Sequence, residues 1–271
     1  METRNFRKML EAKWAEGKFV CVGLDSELSK LPKPYCGYET TAALTLFNKS
    51  IVDATKDLVC AYKPNSAFYE AHGEAGWRAL RETIEHINKV APGVPVIYDA
   101  KRADIGNTND GYVKAAFDVL LADAITVNPY FGQEALEPFL ARKDKGIIVL
   151  CRTSNKGAGE FQNLVVDGNL PLYQRVAHMV ATKWNYNGNC GLVVGATYPE
   201  ELQQVRSIVG DMPILIPGVG AQGGDLEASV KAAQRCFIIN SSRGIIFAKD
   251  PQKEAENLHR SINQYQSGGV S

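Results

Sequence analysis

Net charge is the first thing this 271-residue sequence lacks: 30 Lys and Arg are offset by 30 Asp and Glu. No Lys/Arg block marks a nucleic-acid surface and no acidic run marks a solvated tail, so a small molecule is the expected partner. Apolar runs stop well short of the ~18 residues of a membrane span. Residues Met1–Lys8 carry no apolar signal core, and a cytoplasmic location is therefore expected. Six cysteines include no CxxC pair, and Cys21, Cys60, Cys151 and Cys236 fall inside apolar runs. There they behave as small buried hydrophobes, which suits a reducing compartment better than a disulfide framework.

Histidine is scarce where it would matter. His72, His86, His178 and His259 all lie in helix-like segments and none ends an apolar run. A His-based zinc site and a Ser–His–Asp triad are both disfavoured, and no metal site is expected. There is also no GxGxxG after the first apolar run, which weakens the case for an open doubly wound dinucleotide fold.

What is present is a rhythm. Eight short runs rich in Val, Ile and Leu recur at Phe19–Leu24, Leu58–Tyr62, Val94–Tyr98, Ala124–Val127, Gly146–Leu150, Gly191–Gly195, Pro213–Ile216 and Cys236–Ile239. Runs without polar alternation imply strands buried on both faces, as in a parallel sheet. Amphipathic stretches such as Thr41–Lys56, Glu74–Lys89, Thr108–Leu121 and Pro171–Lys183 separate them. Eight strands alternating with helices predict a (β/α)8 TIM barrel of class α/β. Thr3–Ala15 is expected to be an extra N-terminal helix closing the barrel bottom. The Gly/Asn-rich stretch Asn155–Asn169 is expected to be an irregular loop or lid. With no linker or repeat, one domain over residues 1–271 is expected.

Active sites of such barrels lie at the C-terminal ends of the strands. Reading only those ends gives Asp25-Ser26, Lys63-Pro-Asn65, Asp99-Ala-Lys101, Asn128-Pro-Tyr130, Arg152-Thr-Ser154, Pro217-Gly-Val-Gly-Ala-Gln-Gly-Gly-Asp225 and Asn240-Ser-Ser-Arg243. Asp99 and Lys101 share a face because strand side chains alternate. Each charge has an ordinary explanation: an Asx turn at Asp25, a snorkelling Lys63, a structural Asp99–Lys101 ion pair, a helix cap at Asp104. Five charges explained separately at one rim make a site the better reading. The glycine-rich stretch after strand seven and Arg243 after strand eight match the usual phosphate cradle of these barrels. The chemistry must then rest on lysine and carboxylate.

The motif Asp99-x-Lys101-x-x-Asp104-Ile105-x-x-Thr108 resembles the signature of the orotidine 5′-phosphate decarboxylase family. Gly23-Leu-Asp25, Lys63-Pro-Asn, Thr153-Ser154, Pro217-Gly-Val-Gly220-Ala-Gln222 and Arg243 follow in that family's order. Cys151-Arg-Thr-Ser-Asn and Thr126-Val-Asn-Pro-Tyr are similar to its longer bacterial-type branch. The resemblance implies cofactor-independent decarboxylation of orotidine 5′-phosphate to UMP and CO2, the last step of de novo pyrimidine synthesis. It implies that Lys101 is the proton donor within an alternating array of Lys63, Asp99, Lys101 and Asp104. Asp25 is implied to hold the ribose and Ser154 the pyrimidine. Pro217, Gly220, Gln222 and Arg243 are implied to hold the phosphate. Asp104, Ile105 and Thr108 are implied to enter the neighbouring subunit's site in a homodimer. Residues Ser241-Ser242 depart from the glycine usual before that arginine. Rival readings are a magnesium-dependent sugar-phosphate enzyme of the same suprafamily, a Schiff-base aldolase, and a silent phosphate-binding barrel.

Overall fold

Eight parallel strands pair in the order 2-1-8-7-6-5-4-3: β1 (Val20–Gly23), β2 (Val59–Lys63), β3 (Ile97–Arg102), β4 (Ala124–Val127), β5 (Gly146–Arg152), β6 (Cys190–Val194), β7 (Ile214–Pro217) and β8 (Phe237–Ser241). Bridges from Tyr62 to Val96 and from Asn65 to Asp99 join β2 to β3 and close the barrel. The computed structural model describes residues 4–219 and 224–267. All eight expected strands are present.

The expected helices form too, with shifted ends. They are α1 (Phe6–Ala15), α2 (Thr40–Thr55), α3 (Gly73–Val90), α4 (Asn107–Val113), α5 (Gly132–Leu140), α6 (Leu172–Met179), α7 (Pro199–Val209), α8 (Leu226–Ala233) and α9 (Pro251–Ser267). Both α4 and α6 continue into wider π-turns, at Lys114–Val119 and Val180–Trp184. The first helix starts at Phe6, because the Asn5 side chain accepts the Lys8 N–H and caps it; Thr3, its expected start, lies outside the described residues. The sheet buries both faces: its outward residues pack on the helices in one large core, and its inward residues form a second, smaller one.

That inner core explains the site. Cys21, Ala61, Ile97, Ala124, Ile148, Val193, Leu215 and Ile238, one from each strand, pack with Phe6 and Leu10 of α1. Helix α1 therefore plugs the barrel bottom. Gly146 makes room for it, since a Cβ there would lie 2.2 Å from the Phe6 ring. Side chains repeat on one strand face every two residues. The next inward positions are thus Gly23, Lys63, Asp99, Thr126, Leu150, Gly195, Pro217 and Asn240. An apolar layer is followed directly by one rich in polar groups.

The Asn155–Asn169 stretch is not the irregular loop its composition suggests. It folds into short helical turns, Lys156–Ala158 and Gly159–Gln162, then a hairpin of Val165–Val166 and Leu170–Pro171. The Gly and Asn content marks turns between these pieces, with Asn169 at φ +73°.

Candidate active site

Above the polar layer opens a cavity of about 530 Å³, the size expected of a small-molecule site. Asp25, Lys63, Asp99, Lys101, Ser154, Pro217 and Arg243 all border it. Each of them is among the residues that end or follow a strand at this rim.

Burial and pairing shape its charges. Lys63 and Asp99 are nearly inaccessible, at 4% and 7%. Lys63 Nζ donates to Asp99 Oδ2 at 2.7 Å, and Lys101 Nζ donates to Asp99 Oδ1 at 2.7 Å. Asp25 Oδ1 stands 3.9 Å from Lys63 Nζ. Signs therefore alternate from Asp25 through Lys63 and Asp99 to Lys101. Burial by itself would raise the Asp99 carboxyl, but the ammonium groups of Lys63 and Lys101 hold it well below the usual carboxylate range. Burial would likewise lower the Lys63 ammonium, but Asp99 and Asp25 hold it above the usual lysine range. Both partners shift toward the charged form.

Lys101 differs from its neighbours: its side chain is 47% exposed. It reaches Asp99 from a backbone at φ +49°. A carboxylate fixes one side of the ammonium while the other faces the cavity. That arrangement suits a cation held where negative charge develops.

Other expected residues lie elsewhere. Asp104 accepts from its own Ile105 N–H at 2.8 Å, and Ile105 and Thr108 are exposed. None of the three borders this chain's cavity. Within one chain the alternation extends past Lys63 to Asp25. The helix after β3 is capped at Gly106, so Asp104 is not its N-cap. Gly220 and Gln222 lie outside the described residues. The ends of their segment are joined by a bridge between Val219 and Gly224, with the Gly224 N–H donating to the Gly218 carbonyl at 3.2 Å.

Three residues at the site were not assigned a role from the sequence. Gln162 borders the cavity, accepts from the Thr153 N–H at 2.9 Å and donates to Thr153 Oγ1 at 2.8 Å. This ties the connection after β5 to the strand end that carries Ser154. No sequence signal marks Gln162, because it lies in a stretch without periodicity. Asn240, 7% exposed, presents a buried Oδ1 with no hydrogen-bond partner among the described residues beside the same cavity. Thr126 donates to Asp99 Oδ1 at 2.8 Å. For these two the signal was available: each is a polar residue two positions beyond an inward apolar one.

No cysteine borders the cavity. Burial pushes the Cys21, Cys151 and Cys190 thiols up to about 12, so none is a thiolate nucleophile at neutral pH. Among the described residues no cluster of His, Cys, Asp and Glu could hold a metal ion.

Comparison with known proteins points to one family. The model of the orotidine 5′-phosphate decarboxylase / HUMPS family matches residues 18–258. Orotidine 5′-phosphate decarboxylase from Herpetosiphon aurantiacus is 50% identical over 88% of this chain and 87% of its own. The enzyme of that name from Cupriavidus metallidurans is 49% identical over 97% of this chain and 99% of its own. The solved OMP decarboxylase of Leishmania donovani superposes with a TM-score of 0.86 at 40% identity, over 97% of this chain and 99% of its own.

Proposed function

Because the chain belongs to the orotidine 5′-phosphate decarboxylase / HUMPS family, we propose a role for each cavity residue in one reaction. That reaction is the conversion of orotidine 5′-phosphate to UMP and CO2, a carbon–carbon bond cleavage in pyrimidine biosynthesis. The observation that carries the mechanism is the Asp25–Lys63–Asp99–Lys101 alternation, with its last cation open to the cavity.

Breaking the bond from C6 to the carboxylate carbon releases CO2 and leaves an electron pair on an sp2 carbon. Ring delocalisation helps that pair little, so a fixed cation is the main stabiliser available. Lys101 places its ammonium there and donates its proton to C6, and solvent returns the proton to the amine. Asp99 lies beside the substrate carboxylate and, with Lys63, keeps Lys101 aimed. Preorganisation is the larger effect, and the carboxylate–carboxylate contact adds to it. Asp25, whose Oδ1 has no hydrogen-bond partner among the described residues, accepts from ribose hydroxyls. Ser154 holds the pyrimidine, held in place by Gln162 through Thr153. Arg243 and Pro217, with Gly220 and Gln222 of the intervening segment, hold the phosphate, whose binding energy orients the base.

We further propose a homodimer in which Asp104, Ile105 and Thr108 complete the partner's site. Supporting this, Ile105, Tyr130 and Phe131 follow the adjacent strands β3 and β4 and are exposed at 60, 90 and 50%, apolar surface that association would cover. We read the chain as one barrel domain working in the cytoplasm.

The direct test is to mix the protein with orotidine 5′-phosphate and follow the loss of its near-ultraviolet absorbance. Lys101→Ala is expected to abolish that change while still binding UMP and keeping its melting profile. Substantial residual turnover in the variant would remove Lys101 as proton donor. Undiminished activity after EDTA is expected, whereas a magnesium-dependent sugar-phosphate enzyme would lose it.

A further inference from the structure

We infer that Thr126 is a positioning residue for decarboxylation, holding both the backbone of Lys101 and the carboxylate of Asp99 with one hydroxyl. The inference rests on the decarboxylase reading above. Its ground is the pairing of β3 with β4. Ile97 pairs with Ala124 and Tyr98 with Ile125, but the register resumes only at Arg102 with Val127. Three residues, Asp99, Ala100 and Lys101, therefore stand opposite Thr126 alone. A bulge of this kind leaves ladder groups without partners. It also puts Lys101 at φ +49°, where a residue with a long side chain persists only if its surroundings hold it.

Thr126 supplies the hold. Its Oγ1 accepts the Lys101 N–H at 2.9 Å, replacing the lost ladder bond, and donates to Asp99 Oδ1 at 2.8 Å. That same Oδ1 receives Lys101 Nζ at 2.7 Å. The hydroxyl thus closes a ring running from the Lys101 backbone through Thr126 and Asp99 back to the Lys101 ammonium. Thr126 is 1% exposed and does not border the cavity, so it acts through its two neighbours and not on the substrate. Packing does not account for it. Valine has nearly the same shape, suits a buried strand, and already occupies position 127. Only the hydrogen bonds require a hydroxyl.

The test compares Thr126→Val and Thr126→Ser with wild type in the orotidine 5′-phosphate assay, using UMP as the binding probe. Thr126→Val is expected to keep its UMP Kd and its KM within about threefold while kcat falls about 30-fold, because misplacing the donor costs rate and not affinity. Thr126→Ser is expected to return kcat to within about threefold of wild type. A purely structural role would not produce that split or that rescue. If Val retains wild-type kcat, or if Ser is as impaired as Val, the inference is overturned. Should Val not fold, Ala against Ser reads the same contrast: an impaired Ala beside an active Ser supports it, and equal rates overturn it. An inert wild type would overturn the decarboxylase reading and this inference with it. An active wild type beside an unimpaired Val variant overturns the inference alone.

Discussion

Asp99 holds two ammonium groups and a hydroxyl on one buried carboxylate, and its energetics follow from that crowding. Its folded pKa lies below the ordinary ~3.9 of an aspartate, so its contribution to stability is complete above that value and is lost as pH falls further. Lys63 is the opposite case. Its pKa is raised, so its contribution is complete below the ordinary ~10.4 and is lost only as pH rises through the higher folded value. The pair stays charged across neutral pH. Removing Lys63 takes away the buried cation and leaves Asp99 only the half-exposed Lys101 ammonium and the Thr126 hydroxyl, so Lys63→Ala is expected to cost about 3 kcal/mol. It also narrows the gap between the folded and unfolded pKa of Asp99. Chemical denaturation between pH 4 and 2 is therefore expected to show a shallower loss of stability in Lys63→Ala than in wild type. An equally steep loss would mean that another carboxylate sets the acid limb. In the sequence Asp99 and Lys101 share a strand face, and both border the cavity, but nothing there signals that Asp25 approaches Lys63 to 3.9 Å. Strand alternation says which side chains face inward. It does not say how far around the barrel they meet.

At the scale of elements, β5 and β6 shape the side of the cavity proposed to hold the pyrimidine. Gly195 directly follows β6, where a Cβ would lie 2.7 Å from the Ser154 Cβ and 2.9–3.0 Å from its backbone. Two strand ends approach this closely only if one carries no side chain. Gly195→Ala is expected to push Ser154 off its position and raise KM for orotidine 5′-phosphate about 10-fold with a smaller change in kcat. Steady-state kinetics checks it, and an unchanged KM would remove Ser154 from base binding. The connection after β5 carries the clearest mismatch with its composition. Gly and Asn mark turns, and between turns as short as these neither a helical turn nor a two-residue strand leaves a periodic trace. Gln162 went unassigned for that reason.

At the scale of the whole molecule, the cavity of one chain holds Asp25, Lys63, Asp99 and Lys101 but not Asp104, Ile105 or Thr108. If sites are shared, Lys101→Ala and Asp104→Ala each disable both sites of their own homodimer. Mixing and reassociating the two places both defects in one site of a hybrid and leaves the other site intact. Random exchange in a twofold assembly is then expected to recover roughly a quarter of wild-type activity. Recovery of none, with subunit exchange verified, would confine each site to a single chain. Size-exclusion chromatography with light scattering checks the dimer itself.

Eight Val/Ile/Leu runs, the helices between them and the polar residues ending each run were determined by the sequence alone. Strand burial and helix amphipathicity leave local periodic signatures, and barrel sites always gather at one end of the strands. What only the tertiary structure decided were contacts across strands. The bulge that sets Asp99, Ala100 and Lys101 against Thr126, the plug of Phe6 over Gly146, and the close approach of Gly195 to Ser154 all join residues distant in the chain. Such contacts depend on register and stagger around a closed sheet, and no local pattern in the sequence encodes those.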